Sequence, residues 1–200
     1  MNRLPPLELA PIVLTGAHVR LEPLSHAHLD GIMRAGEDES IWQWLPYCPR
    51  TRAEYEHWLS DALAAMASGT QLAFATIDAR TGEVVGSTRL FVTSRDDRRI
   101  EIGGTWLAPQ AQRTAINTES KYLLLRHCFE TLRTVRVELK TDARNEKSQR
   151  AIERIGARRE GVMRKHMLTR GDFYRDSVYF SIIDDEWPET KQRLESMLSR

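Results

Sequence analysis

Only two cysteines, Cys48 and Cys128, occur in the 200 residues; they lie far apart and form no CxxC pair. That argues against a disulfide framework and a zinc site, and it fits a reducing cytoplasm. Net charge is nearly absent as well: 29 Lys and Arg against 28 Asp and Glu leave +1. Without a global field the chain has no general means of recruiting nucleic acid or an anionic membrane, so any anion it binds must be met locally. No apolar run approaches the ~20 residues of a membrane span. The N-terminal stretch MNRLPPLELAPIVLTG has an early Arg3, but Pro and Glu interrupt its apolar part and there is no A-x-A-like site, so it does not read as a signal peptide. His26 and His28 in HAH lack a third ligand motif nearby and are expected at the surface rather than on a metal. Internal repeats and low-complexity linkers are missing too.

What remains is a globular composition, 41% hydrophobic and 28% charged, in a chain long enough to bury one core. One domain over residues 1–200 is expected, in which helical and strand patterns alternate as an α/β or α+β layout. HVRLEPL (18–24) alternates as a strand, and Ser25 suits the cap of a short helix running to Ala35. IWQWLPYCP (41–49) crowds Trp42, Trp44, Tyr47 and two prolines together, which resists a regular helix and predicts an aromatic loop. A helix opens at Thr51 or Arg52 and runs to about Ala67, with Tyr55, Trp58, Leu59, Ala62 and Leu63 on one face. Three strands follow over 72–77, 84–92 and 99–107, joined by turns at Thr81-Gly82 and 94–98, which predicts an antiparallel meander.

Beyond the meander the pattern changes. QRTAIN (112–117) is a glycine-free loop leading into a helix over 118–132, with Tyr122, Leu125, Phe129 and Leu132 on one stripe and Leu124 and Cys128 beside it. VRVELKT (135–141) alternates as a strand, so strand, loop, helix, strand form a βαβ crossover whose strands must be parallel if they share a sheet. Asn145 is a good N-cap for a helix carrying Ala151, Ile152 and Ile155, ended by Gly156. Strands over 161–168 and 176–183 flank the turn Arg170-Gly171-Asp172, and a polar helix from about Pro188 follows.

In this order the segments EIGGTWLAP (101–109), QRTAIN, KYLLLRHCFETL (121–132), VRVELKTDARNEKSQRAIERIGARREGVMRKH (135–166) and RDSVYFSIIDDEWP (175–188) resemble the Gcn5-related N-acetyltransferases. Within that superfamily (GNAT) they are most similar to the bacterial ribosomal-protein N-terminal (alanine or serine) acetyltransferases. The resemblance implies a mixed α/β (α+β) fold: a central sheet of about seven strands, an antiparallel meander and then a parallel βαβ cofactor unit, flanked by helices. It also implies transfer of an acetyl group from acetyl-CoA to a primary amine, above all a protein N-terminal α-amine, with coenzyme A between the two parallel strands and no metal.

In such enzymes a Gln/Arg-x-x-Gly-x-Gly/Ala loop at a helix N-terminus holds the cofactor pyrophosphate, because unpaired N–H groups and the helix dipole favour an anion there. Gln112 and Arg113 match its start, while Ala115 and Asn117 stand where glycines usually do. Backbone N–H groups donate whatever the side chain; Ala115 suits a negative φ, and Asn117 tolerates the left-handed region. The resemblance therefore assigns Gln112, Arg113, Thr114, Ala115, Ile116 and Asn117 to the cofactor, with Trp106 and Leu107 from the bordering strand and Asn145 and Ser148 from the following helix. A helix-capping turn with lost or weakened cofactor affinity is the alternative.

Attack of an amine on a thioester needs a neutral nucleophile, a stabilised oxyanion and a proton for the departing thiolate. A protein α-amine, with a pKa of roughly 7.7 to 8.0, is already partly neutral at cellular pH, whereas lysine at about 10.4 needs help. Glu101, opposite in phase to Ile100 and Ile102, is the expected general base; the competing reading is a structural residue on the polar strand face. Ser148 is the residue implied at the thiolate, and Asn145 at the pantetheine chain or loop, although both also suit a helix start. A backbone N–H within 103–106 is the expected oxyanion donor, since the glycine pair permits a bulge. Trp42, Trp44, Tyr47, the helix around Tyr55, and Tyr174 with Arg175 are candidates for the acceptor side, where aromatic rings position an amine by packing or cation–π contact, or else belong to the core. Arg158, Arg159, Arg164, Lys165 and His166 read as the solvated face of a strand. A non-catalytic acyl-CoA-binding or interaction module, or an acetyltransferase for a polyamine, amino acid or antibiotic, stays open, as does a homodimer.

Overall fold

Period-two patterning organises a mixed sheet of eight strands: β1 (Leu14–Thr15), β2 (Val19–Pro23), β3 (Gln71–Asp78), β4 (Val84–Ser94), β5 (Arg99–Leu107), β6 (Arg136–Asp142), β7 (Arg158–Thr169) and β8 (Phe173–Ile183). The structure is a computed structural model describing residues 4–199, so Arg3 of the N-terminal stretch lies outside the described residues. In space the strands run β1-β2-β3-β4-β5-β6-β8-β7, and only β5 and β6 are parallel. Meander and βαβ unit are as the patterning predicts. The additional strand is β1, whose two residues are too few for alternation to reveal.

Five helices flank the sheet: α1 (Leu29–Ala35), α2 (Arg52–Ala67), α3 (Ala115–Arg126), α4 (Glu146–Arg154) and α5 (Trp187–Leu198). α2 starts where a reciprocal cap allows it: Glu54 N–H donates to Thr51 Oγ1 (3.3 Å) and Thr51 N–H donates to Glu54 Oε2 (2.9 Å). α1 and α2 cover one face, where Trp42, Tyr55, Trp58 and Ala62 pack with Ala73, Ala75 and Ile77 of β3. α3, α4 and α5 cover the other, where Leu123, Leu124, Ile152 and Leu194 meet Ile100, Ile102, Val137 and Phe180. Two expectations change here. Trp42 is fully buried, and its indole N–H donates to Gly36 O (2.8 Å), as does the Tyr55 hydroxyl (2.9 Å), so both serve the core and not an acceptor wall. His28 is not a surface histidine: its Nδ1 accepts from Ser25 N–H and its Nε2 lies 3.1 Å from Glu22 Oε2, which closes the turn before α1.

The crossover helix α3 is tied to the sheet by buried polar groups. Glu119 accepts the backbone N–H groups of Ala17, His18 and Val19 at 2.8, 2.6 and 2.8 Å, which anchors the start of β2. Lys121 is buried too; its Nζ donates to Thr105 Oγ1 (2.7 Å), and burial lowers its pKa to about 7. Replacing Glu119 by Ala strands three donors and is expected to cost about 2–4 kcal/mol in urea unfolding. For Lys121, the unfolded amine keeps its proton up to about 10.4 while the folded amine loses it near 7, so this residue makes stability rise with pH between those values. Lys121→Met should therefore stabilise the protein more at pH 7 than at pH 9.5. An equal gain at both values would contradict the buried-amine account.

Candidate functional site

β5 and β6 pair through only three positions, Arg99 with Arg136, Ile100 with Val137 and Glu101 with Glu138. Both strands continue, to Leu107 and Asp142, with no pairing between them. Backbone donors and acceptors along that opening call for an outside partner. A bulge in β5 begins beside it: across β4, Ser87 faces Trp106 and Arg89 faces Gly103, so Gly104 and Thr105 together oppose Thr88. Gly104 takes the left-handed φ of 57° that such a kink needs. The extra residue inverts the side-chain phase. Trp106 thereby packs with the α1 and α2 layer, while Leu107 and Thr105 meet the α3 layer.

QRTAIN differs from a simple loop. α3 begins at Ala115, not at 118, because Thr114 is its N-cap: the Thr114 hydroxyl accepts from Ile116 N–H (3.3 Å) and donates to Ala111 O (2.8 Å). Ala115, Ile116 and Asn117 are thus the first turn, where backbone N–H groups lack helical partners. Asn117 is helical, and the left-handed residue is instead Arg113, with φ 61°. Only one reversal is needed to enter the helix, so residues after the cap have no requirement for glycine. The Arg113 side chain is exposed and has no hydrogen bond or ion pair among the described residues. Gln112 braces the turn by donating to Leu107 O (2.9 Å) and accepting from Lys147 Nζ (2.5 Å), which ties α4 to the loop. Asn145 caps α4 through Ser148 N–H (3.0 Å), leaving the half-buried Ser148 hydroxyl without a partner among the described residues.

Glu101 occupies the last paired position of β5, 6% exposed. Its Oε2 accepts from Lys140 Nζ (2.5 Å), and its Oε1 lies 2.6 Å from where a Cβ on residue 103 would stand, so Gly103 is what leaves room for the carboxylate. A polar chain continues from there across β6 and β8 to β7. Lys140 Nζ stands 5.9 Å from the Tyr179 ring centroid, the Tyr179 hydroxyl lies 3.2 Å from His166 Nε2, and His166 Nδ1 lies 3.1 Å from Ser177 Oγ. Arg175 Nε donates to the same Ser177 hydroxyl. Sequence reasoning placed His166 on a solvated face. Instead β7 is irregular between Met163 and Met167, where three residues oppose Asp176 alone, and His166 is turned back onto the sheet; Arg158, Arg159, Arg164 and Lys165 are exposed. Burial lowers the His166 pKa, helped by the charges of Lys140 and Arg175, and burial raises that of Tyr179, helped by Glu101 and Glu138. Lys140 and Tyr179 were missed. The signal for them was the polar phase of RVELKTD and of RDSVYFS, read as one strand face.

A cleft of about 400 Å³ opens between the aromatic loop and the turn joining β7 to β8, lined by Trp44, Leu45, Asp142, Arg144, Arg170 and Phe173 among others. The Arg144 guanidinium lies 5.2 Å from the Trp44 ring and 4.2 Å from that of Phe173. Burial pushes the Asp142 carboxyl up, but its bonds to Arg144 outweigh this and hold it below the usual range. Arg175, buried, donates to Trp44 O (3.1 Å), and Arg170 donates to Trp42 O (2.8 Å), so the hairpin holds the aromatic loop in place. Of the proposed acceptor residues, Trp44 lines the cleft and Arg175 supports it from beneath. Tyr47 packs against Trp42 and Trp58, and Tyr174 is 56% exposed with no side-chain hydrogen bond among the described residues. Among the described residues no group of His, Cys, Asp and Glu gathers to hold a metal.

The acetyltransferase (GNAT) domain family matches residues 18–158. Among solved structures, a GCN5-related N-acetyltransferase from Brucella melitensis is similar at 36% identity, covering 98% of this chain and 90% of its own, with a TM-score of 0.91. RimJ from Mycobacterium smegmatis, in complex with CoA-disulfide, shares the fold at 23% identity over 96% of this chain and 95% of its own, TM-score 0.78. A candidate ribosomal-protein-serine acetyltransferase from Vibrio cholerae shares it at 20% over 88% and 99%, TM-score 0.77. No curated protein matches the chain.

The lowered His166 pKa has a measurable consequence. With the folded value below the ordinary one, the unfolded chain binds the proton first, so stability falls as pH drops through the range just below about 6.5. His166→Asn should flatten the decline of the urea midpoint between pH 7 and pH 5. Parallel declines in the two proteins would exclude His166 as its source.

Proposed function

The chain belongs to the GNAT acetyltransferase family, and from that membership we propose that it moves an acetyl group from acetyl-CoA onto the α-amine of a protein or peptide N-terminus, residues 1–200 acting as one catalytic domain in the cytoplasm. The observation that carries this reading is the opening of β5 from β6 after Glu101, directly before a helix N-terminus. The donor set fits the cofactor. Free backbone groups along β5 suit a pantetheine amide chain, and the first-turn N–H groups of Ala115 and Asn117, with Arg113, suit a pyrophosphate, while the Ile116 N–H is engaged by the Thr114 cap. Trp106 and Leu107 contribute backbone alone, because both side chains are buried.

Acetyl-CoA, when bound, supplies the activated acyl carbon as a thioester. Glu101 Oε1, free of Lys140, accepts a proton from the incoming amine, directly or through a water. A backbone N–H at the Gly104–Thr105 bulge offers a hydrogen bond to developing negative charge on oxygen. The unpartnered Ser148 hydroxyl is the proton donor on the α4 side. An α-amine is favoured over lysine because its pKa of roughly 7.7 to 8.0 asks little of a carboxylate base. The cleft beside Trp44 and Phe173 is open enough for a chain terminus.

Calorimetric titration of acetyl-CoA, with coenzyme A and desulfo-coenzyme A as controls, tests the cofactor half of the proposal. Micromolar affinity is expected, and Arg113→Ala should weaken it about tenfold, more at low salt than at high. No binding at millimolar cofactor would replace the enzyme reading with an interaction role. Glu101→Gln should slow thiol release with N-terminal peptides by about 10²-fold and leave acetyl-CoA affinity intact. Unchanged turnover would remove Glu101 from the mechanism, and turnover with polyamines or aminoglycosides but no peptide would reassign the acceptor.

A further inference from the structure

Five buried side-chain atoms without a hydrogen-bond partner belong to one cluster beside the β5 bulge: the Tyr47 hydroxyl, the indole nitrogens of Trp58 and Trp106, and Nε and Nη2 of Arg89. Arg89, on β4, is 9% exposed, and its guanidinium carbon lies 4.9 Å from the Trp58 ring centroid and 5.9 Å from that of Tyr47. Trp58 stands 6.4 Å from Trp106. The one acceptor that reaches the guanidinium is Gln71 Oε1, at a long 3.4 Å, and no carboxylate pairs with it among the described residues. Even if the Trp58 indole shares the Tyr47 oxygen, the Tyr47 proton and both free Arg89 nitrogens still lack an acceptor. Native proteins leave few buried donors unmade, and a guanidinium cannot shed its proton to escape the cost. The cluster is short of acceptors, and an oxyanion is one group that supplies them.

Its position relates it to the reaction. Arg89 is the cross-strand partner of Gly103, and its Cδ lies 3.3 Å from where a Cβ on Gly104 would stand. Glu101 Oε1 overlies that same Gly103. The base candidate and the guanidinium therefore flank one bulge, with Lys140 paired to the carboxylate, while the arginine has no carboxylate in contact among the described residues and feels Asp61 only at longer range. By register Glu101 and Arg89 stand at diagonal positions on one face of β5 and β4. Tyr47 lies in the loop whose Trp44 lines the open cleft, so the cluster borders the acceptor side.

Resting on the acetyl-transfer reading, we propose that Arg89, with Tyr47 and Trp58, is a specificity subsite for a carboxylate a few bonds from the reacting amine. The acceptor class is thus an amine and a carboxylate on one short skeleton, met either as an acidic first residue of a peptide or as a free amino acid. Arginine's planar fork matches a carboxylate, and the surrounding aromatic walls keep the pair dry, which strengthens the bond and penalises a neutral replacement.

The experiment compares thiol release from acetyl-CoA with peptides identical except for Asp or Asn at the first position, and with a free amino acid against its amide (alanine against alaninamide), which lacks the carboxylate. The wild type should favour the acidic member by about tenfold or more in kcat/KM. Arg89→Met should bring that ratio close to one, chiefly through KM for the acidic acceptor. Tyr47→Phe, which removes a single oxygen and so spares the fold, should lower the ratio by about threefold. Preference confined to peptides identifies an N-terminal residue as the source, and preference confined to free amino acids identifies the small molecule. A wild-type ratio near one, or a ratio that both variants leave unchanged, overturns the proposal. Titrating the same acceptors against tryptophan fluorescence separates it from the acetyl-transfer reading: tighter binding of the acidic acceptor without turnover sinks the enzyme and keeps the subsite, turnover without acidic preference does the reverse, and neither signal sinks both.

Discussion

The parting of β5 from β6 after three paired residues is the constraint from which the candidate site follows. A parallel pair inside a sheet normally continues, because each unmade backbone bond in a shielded place is costly. Here pairing ends just before the bulge at Gly104 and Thr105, and this stretch of β5 does two further things. It inverts the phase of β5, sending Trp106 into the α2 layer and Thr105 to the Lys121 amine. It also removes side chains from the ground over which Glu101 and Arg89 lie. One inserted residue thus sets the slot, the base candidate and the neighbouring guanidinium.

Charges around this opening are distributed unevenly, and the unevenness is informative. Glu101 and Lys140 compensate one another, Arg144 compensates Asp142, and the Tyr179, His166, Ser177 and Arg175 chain satisfies its members by hydrogen bonds. Arg89 has only a long bond and two ring faces. Rigid support comes from distant chain segments, since the β7–β8 hairpin grips the carbonyls of Trp42 and Trp44 while Lys147 grips Gln112. The aromatic wall of the cleft and the loop before α3 are therefore each held by side chains from distant segments, an arrangement suited to positioning two reactants.

Local patterning made much of the fold legible. Three meander strands, the capped start of α2 and the αβ crossover all followed from short-range periodicity and from Thr51 and Asn145 as caps. The beginning of α3 did not, because Thr114 is an ordinary cap type amid other polar residues, and a left-handed arginine has no signature in sequence. Trp42 was ambiguous for a related reason: an indole in a proline-rich loop looks the same whether it lines a pocket or fills a core. His166 and Lys140 were hidden because strand alternation tells which residues share a face but not whether that face is covered.

By itself, then, the sequence determined the order of elements, the parallel crossover and the motif segments that mark the family, since all of these depend on neighbours within a few residues or on fixed spacing. The tertiary structure alone decided where β5 leaves β6, which carboxylate meets which cation, and which buried donors have no acceptor. Those facts are contacts between residues dozens of positions apart, set by the bulge register and by helices packed on opposite faces, and no local pattern encodes them.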